Sequence, residues 1–201
     1  MRATKAFANR LRRSPAMAGS YGARSVISAG LPTVSEIGIR LATADDATGI
    51  HGMIVELARA TGLRQKVTSR PEHFLRHGSG ERPAFEAYIA ERAGKALGLC
   101  LFFYSFSSWR GELGVYVQDL YVSEEARGSG LGRRLIAETV RLAKSRGATY
   151  LRLSVGRENT TAQEFYRAIG MSGSEDECIY QAEGEEFERL AGDAGATCGE
   201  G

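Results

Sequence analysis

Asp119-Leu120-Tyr121-Val122-Ser123-Glu124-Glu125-Ala126-Arg127-Gly128-Ser129-Gly130-Leu131-Gly132-Arg133 is the stretch on which the reading of this 201-residue chain turns. A strand ends at Val122, a short loop follows, and a glycine-rich turn opens a helix. That helix carries Leu131, Leu135, Ile136, Val140 and Ala143 at helical spacing and closes at Gly147. Gly128, Gly130 and Gly132 have no side chains to block a ligand. Their N–H groups can converge on one concavity at the positive end of the helix dipole, an arrangement that suits a pyrophosphate. Taken alone, such a turn also serves as a tight strand-to-helix connection. Two other phosphate loops do not fit. A dinucleotide loop reads G-x-G-x-x-G with an acidic residue about 20 positions on, and a Walker loop needs G-K-[ST]. Here the spacing is G-x-G-x-G.

Working outward, Tyr150 to Val155 alternates Leu151, Leu153 and Val155 against Arg152 and Ser154, a strand. A helix is expected from Thr160 to Ile169, stopped at Gly170, and a last strand from Ile179 to Glu183. Upstream, Gly114 to Val122 is a strand, and Phe85 to Glu91 with Ala96 to Phe106 forms a hairpin around Ala93-Gly94-Lys95. The folded part begins with alternating Ile37, Ile39 and Leu41. Thr43 and Asp46 then resemble a capping box, and Ile50, Met53, Ile54, Leu57 and Ala58 line one helix face. A second helix starts at Ser69-Arg70-Pro71, with Ser69 as cap, and ends by Gly78. The order β-α-α-β-β-β-α-β-α-β defines a mixed α/β (α+β) domain: a largely antiparallel sheet flanked by helices, with a β-α-β crossover in its second half.

Hydrophobic residues make up 43% and charged residues 25%, the balance of a globular domain. No apolar run approaches the length of a membrane span. Residues 1–35 hold six of the 26 basic residues and none of the 24 acidic ones, so the body carries a net charge of −4 and gives no reason to expect nucleic acid as partner. This leader is expected to be a disordered basic extension or an overcalled start. Its Arg-rich, acid-free composition also resembles an organelle transit peptide. Residues 36–190 form the domain, and residues 191–201 an acidic disordered tail after one short helix. Cys100, Cys178 and Cys198 are sparse and odd in number, which points to a reducing, cytoplasmic compartment. His73 and His77 stand at i and i+4, as zinc ligands do, but no third ligand accompanies them; a solvated face, and no metal, is expected. Trp109 is either a lid over an aliphatic substrate or core.

Arg127-x-x-Gly130-x-Gly132 fits R-x-x-G-x-G, and in that motif the chain resembles the GNAT acetyltransferase superfamily. Asn159, Ala162, Phe165, Tyr166, Gly170 and Met171 look like the N-x-x-A-x-x-F-Y-x-x-x-G-[FM] element of the same superfamily. Phe103 to Gly111, Tyr116 to Val122, Gly80 to Pro83 and Ile54 to Ala58 are similar to the diamine (spermidine/spermine) N-acetyltransferase group. The likeness covers residues 37 to 190. It implies a GNAT fold, acetyl-CoA as co-substrate, a small-molecule amine as acceptor and a homodimer.

The resemblance further implies a V-shaped gap between strands 114–122 and 150–155. The backbone of Leu120, Tyr121 and Val122 would pair with pantetheine there and polarise the thioester carbonyl. Arg127, Gly128, Ser129, Gly130, Leu131, Gly132 and Arg133 would hold the pyrophosphate, and Asn159 and Ala162 would line the other side. Tyr166 matches the family's general acid, a phenol able to protonate the departing thiolate. The position of the diamine group's assisting Glu is Gln118, which cannot take a proton, so Asp119, or water leading to Asp119 or Glu112, is left to serve as base. Asp119 points to the other face under strict alternation unless a bulge intervenes. Where the diamine group is acidic, this chain has Arg59, Arg64 and Lys66, which repel a polycation and suit a carboxylate. Amino-acid-like acceptors thus stand beside polyamines. The rival readings are a protein lysine or N-terminal acetyltransferase and a non-catalytic acyl-CoA-binding module.

Overall fold

The computed structural model describes residues 37–174 and 179–193; the leader expected over 1–35 and residues 194–201 of the expected tail lie outside them. Five strands form one sheet in the order β1 (Gly38–Leu41), β2 (Glu86–Arg92), β3 (Lys95–Ser107), β4 (Glu112–Val122) and β5 (Tyr150–Leu153). The first four pair antiparallel, and β4 pairs β5 in parallel through α3 (Leu131–Ser145), as a parallel pair requires a crossover. The β2–β3 turn has positive φ at both Ala93 (50°) and Gly94 (77°), which matches the twist of the flanking strands.

Each face of the sheet buries its own helices. Against α3 lie Cys100, Phe102, Val115 and Val117, packed on Leu131, Leu135 and Ile136. On the opposite face Ala87, Ile89, Leu99 and Leu101 pack with Ile50 and Met53 of α1 (Ala47–Ala60), and Phe74 of α2 (Pro71–Gly78) packs against that cluster. Leu135 has no exposed surface. Leu135→Ala is therefore expected to cost about 2–5 kcal/mol in denaturant unfolding; an unchanged midpoint would contradict this packing.

Before α1, Arg40 grips Asp46 with two bonds of 2.8 Å, and the Thr43 N–H donates to Asp46 Oδ2 at 2.7 Å. The Arg40 bonds hold the Asp46 carboxyl down to about 2. A depressed carboxylate stabilises the fold above its unfolded value of about 3.9 and loses that contribution as pH falls through about 2. Asp46→Asn is expected to flatten acid unfolding in that window, as followed by circular dichroism against pH.

Helix α4 (Thr160–Ala168) follows β5, and α5 (Glu185–Asp193) extends to Asp193, past the boundary expected at 190. The strand expected from Ile179 to Glu183 is not formed. Ile179 and Tyr180 stand 69% and 93% exposed, Gln181, Ala182 and Glu183 offer no further apolar alternation, and Gly184 turns at φ 56°. The second helix takes Arg70, not Ser69, as its cap, because Pro71 fixes the first helical residue. Among the described residues no helix is long and apolar enough to cross a membrane.

Candidate active site

Strands β4 and β5 stay together only from Gly114↔Tyr150 to Val117↔Leu153. β4 then runs on to Val122 beside β3, while β5 stops. Among the described residues, the β5-side edge of Leu120, Tyr121 and Val122 thus has no strand partner. A β-bulge sits where the strands part. Leu101 pairs with Asp119 and Phe102 with Val117, so Gln118 is the extra residue. The bulge reverses the parity of β4: Val115 and Val117 face α3, yet beyond it Leu120 and Val122 face α3 while Tyr121 joins the α1 cluster. Asp119, opposite Leu101, shares the α1 face, since directly paired residues project to one side.

From Val122 the chain turns through Glu124–Ala126, where the Ala126 N–H donates to the Ser123 carbonyl at 2.9 Å. Ser129 Oγ donates to the Ala126 carbonyl (2.6 Å), and Arg127 Nε to the Val122 carbonyl (3.3 Å). Gly128 (φ 74°) and Gly130 (φ 80°) take left-handed backbone, and Gly130 is the cap of α3. A Cβ at either would meet nothing within 4 Å, so open space lies over the turn. At Gly132 a Cβ would come 3.2 Å from the Phe165 ring, so α3 and α4 close on each other there. The N–H groups of Gly130, Leu131, Gly132 and Arg133 have no backbone partner among the described residues, as expected of the first turn of a 15-residue helix, where the dipole favours negative charge. An unpaired strand edge leading to such a turn fits an extended thioester chain ending in a pyrophosphate.

Across the gap Asn159 caps α4, its Oδ1 accepting the Ala162 N–H at 3.1 Å. Tyr166, half-buried, packs edge-on to Phe165 with centroids 5.2 Å apart. Burial, assisted by Cys100 and Asp119, pushes the Tyr166 phenol up to about 12. It therefore stays protonated at neutral pH and is available as an acid. Burial also raises the Asp119 carboxyl above its ordinary value. Cys100 is buried, accepts a hydrogen bond from Thr139 Oγ1 at 3.3 Å and has its thiol pushed up to about 12, so it is no thiolate nucleophile. Gln118 is exposed.

The other residues singled out in the sequence stand as follows. His73 and His77 are exposed, and His73 Nδ1 accepts the Arg70 N–H at 3.2 Å. Trp109 is 99% exposed, so it is not core. Arg59 is paired with Glu56 on α1, and Arg64 and Lys66 lie exposed in the turn that follows. Ser123 Oγ, at the end of β4, is buried without a partner among the described residues; sequence reasoning passed over it because a lone Ser after a strand carries no pattern.

The chain matches the Acetyltransferase (GNAT) family over residues 53–171, and it belongs to that family. It is an N-acetyltransferase that uses acetyl-CoA as co-substrate. A thialysine N-epsilon-acetyltransferase of Bos taurus is 33% identical over 165 residues, covering 77% of this chain and 96% of that one. A spermidine/spermine N(1)-acetyltransferase-like protein of Homo sapiens is 27% identical over 139 residues, 66% of this chain and 20% of that one. Among solved structures, an aminoglycoside acetyltransferase from an uncultured soil metagenomic sample, in complex with trehalose, superposes with a TM-score of 0.66 at 16% identity, covering 77% of this chain and all of that one. It shares the fold.

Proposed function

We propose that this enzyme acetylates the primary amine of a small amino-acid-like acceptor, one that carries a carboxylate, by direct attack within a ternary complex. The observation that carries this reading is the basic Arg59–Lys66 segment, in a chain that is 32–33% identical over 77% of its length to thialysine N-epsilon-acetyltransferases. Two exposed cations, Arg64 and Lys66, disfavour a polycation and favour a carboxylate.

Acetyl-CoA supplies an acetyl group activated as a thioester. In this reading Leu120, Tyr121 and Val122 bind its pantetheine through the unpaired edge of β4, and an N–H there polarises the carbonyl. Arg127, Gly128, Ser129, Gly130, Leu131, Gly132 and Arg133 hold the pyrophosphate, and Asn159 and Ala162 border the other wall. Tyr166 donates its proton to the departing sulfur. Gln118 cannot accept the ammonium proton, and Asp119, turned to the α1 face by the bulge, takes that role directly or through water. A homodimer in the cytoplasm completes the proposal, on the likeness to the diamine group and the sparse cysteines.

If the base has merely been lost at position 118, Gln118→Glu is expected to raise kcat on primary amines; if Asp119 already serves, the gain is small and Asp119→Asn removes most of the rate. Steady-state rates of both variants decide between these. The acceptor class is tested by comparing kcat/KM for thialysine, its decarboxylated diamine and spermidine. Thialysine should lead by at least about 10-fold, the scale of one charged hydrogen bond. A lead for spermidine would overturn the reading.

A further inference from the structure

The segment that carries Arg64 and Lys66 joins α1 to α2 over residues 61–70. Both helices lie on the face of the sheet that Asp119 shares, where Tyr121 of β4 packs against the apolar cluster of Ile50 and Met53. Burial pushes the Tyr121 phenol up and the nearby Glu56 carboxylate adds to it, so the last two turns of α1 lie beside the end of β4. The segment leaves α1 one turn after Glu56, about 6 Å further along the axis. Its near end is folded back on α1 through its own backbone. The Gly62 N–H donates to the Arg59 carbonyl at 3.1 Å and the Leu63 N–H to the Ala58 carbonyl at 2.7 Å, with Gly62 at φ 73°. Within the turn, the Lys66 N–H donates to the Leu63 carbonyl at 2.9 Å. Arg64 Nη1 donates to the Val67 carbonyl at 3.4 Å, whereas the exposed Lys66 ammonium has no partner among the described residues.

The far end of the segment is held by a side chain. His51, half-buried on the second turn of α1, brings Nε2 to 2.9 Å from the Ser69 carbonyl. A carbonyl oxygen only accepts, so Nε2 carries the hydrogen, in the neutral and in the charged ring alike. The ring is fixed in turn: it tilts at 52° against Phe74 of α2 with centroids 5.9 Å apart, and Phe74 meets Phe85 edge-on at 6.0 Å. One side chain thus ties α1 and α2 to the strap between them. We infer that His51 is a positioning residue for acceptor choice: by pinning Ser69 it fixes the 61–70 segment so that the Lys66 ammonium meets the acceptor's carboxylate. The inference rests on the amino-acid-like acceptor proposed above and names what holds its recognising cation in place. Without that bond the exposed strap is ordered at its far end only when the acceptor binds, and the entropy of ordering it weakens the acceptor's affinity.

The test measures kcat/KM for thialysine and for its decarboxylated diamine in the full chain, in His51→Leu and in His51→Gln. Leu keeps bulk beside Phe74 and removes the donor; Gln returns an N–H near the position of Nε2. The expected result is that the thialysine-to-diamine ratio falls about 5-fold in His51→Leu, the scale of one hydrogen bond, through KM for thialysine, and recovers in His51→Gln. The loss is expected to vanish when Lys66→Ala is already present, since the two side chains act through one contact. A ratio that holds in folded His51→Leu, or a loss equally large on top of Lys66→Ala, overturns the inference while the acceptor class stands. If the unaltered enzyme shows no preference for thialysine over the diamine, the acceptor class fails and the inference with it. Should His51→Leu not fold, His51→Asn replaces it: its amide is too short to reach the Ser69 carbonyl, and the same ratio decides.

Discussion

Gly130→Asp is expected to weaken acetyl-CoA binding by about 100-fold in a chain that still folds. Gly130 holds φ 80° as the cap of α3, with no atom within 4 Å of where a Cβ would stand. Asp tolerates left-handed backbone better than most residues and is a favoured N-cap, so the helix should survive. Its carboxylate, however, would accept the same N–H groups of the first turn that a pyrophosphate needs, and would repel the phosphates. At about 6 Å and an effective dielectric of about 20 that repulsion alone is worth about 2.8 kcal/mol, or roughly 100-fold. Gly130→Ala adds only backbone strain of about 1–2 kcal/mol and no charge, so it should fall between the two. Calorimetric titration with acetyl-CoA distinguishes them. Unchanged affinity in folded Gly130→Asp would remove this turn from the binding site.

Tyr166→Phe is expected to lower kcat about 100-fold with little change in acetyl-CoA affinity, since general acids contribute about 10²–10⁴-fold. The phenol, pushed up to about 12 by burial, never limits the reaction by ionising near neutrality. Its wild-type pH profile should therefore lack a descending limb from this group until pH nears 12. A thiolate leaving into the same desolvated gap has its own pKa raised, which brings donor and acceptor closer. With Asp119 as the proposed base, its burial-raised carboxyl sets the ascending limb: activity is expected to fall as pH drops through that elevated value, and Asp119→Asn should abolish the limb. If Tyr166→Phe keeps the wild-type kcat, the acid is another group or water.

The Arg127–Arg133 turn and the Asn159–Tyr166 helix were legible in the sequence because their geometry is local. Glycines mark the left-handed positions at 128 and 130, and Gly170 marks the end of the helix that Asn159 caps. The gap between the two elements came only from the resemblance to the family's motifs. The bulge at Gln118 was not legible, because an extra residue exists only relative to the partner strand; nothing in Val117-Gln118-Asp119 announces it. That single residue decides whether Asp119 shares the α1 face or the α3 face of the sheet. His51 carried no signal either, because its bond to Ser69 joins residues 18 apart in the chain. The strand expected at Ile179 failed for the opposite reason: two apolar residues suggest a period, but they bury nothing.

Direct acetyl transfer from acetyl-CoA to a small amine in one ternary complex is tested by the initial rate of CoA release in the full chain over a matrix of acetyl-CoA and thialysine concentrations. Amine-dependent release with intersecting double-reciprocal lines is expected, consistent with a buried Cys100 whose thiol is held protonated. Parallel lines, the mark of an acetylated enzyme, or CoA release indifferent to the amine would contradict direct transfer.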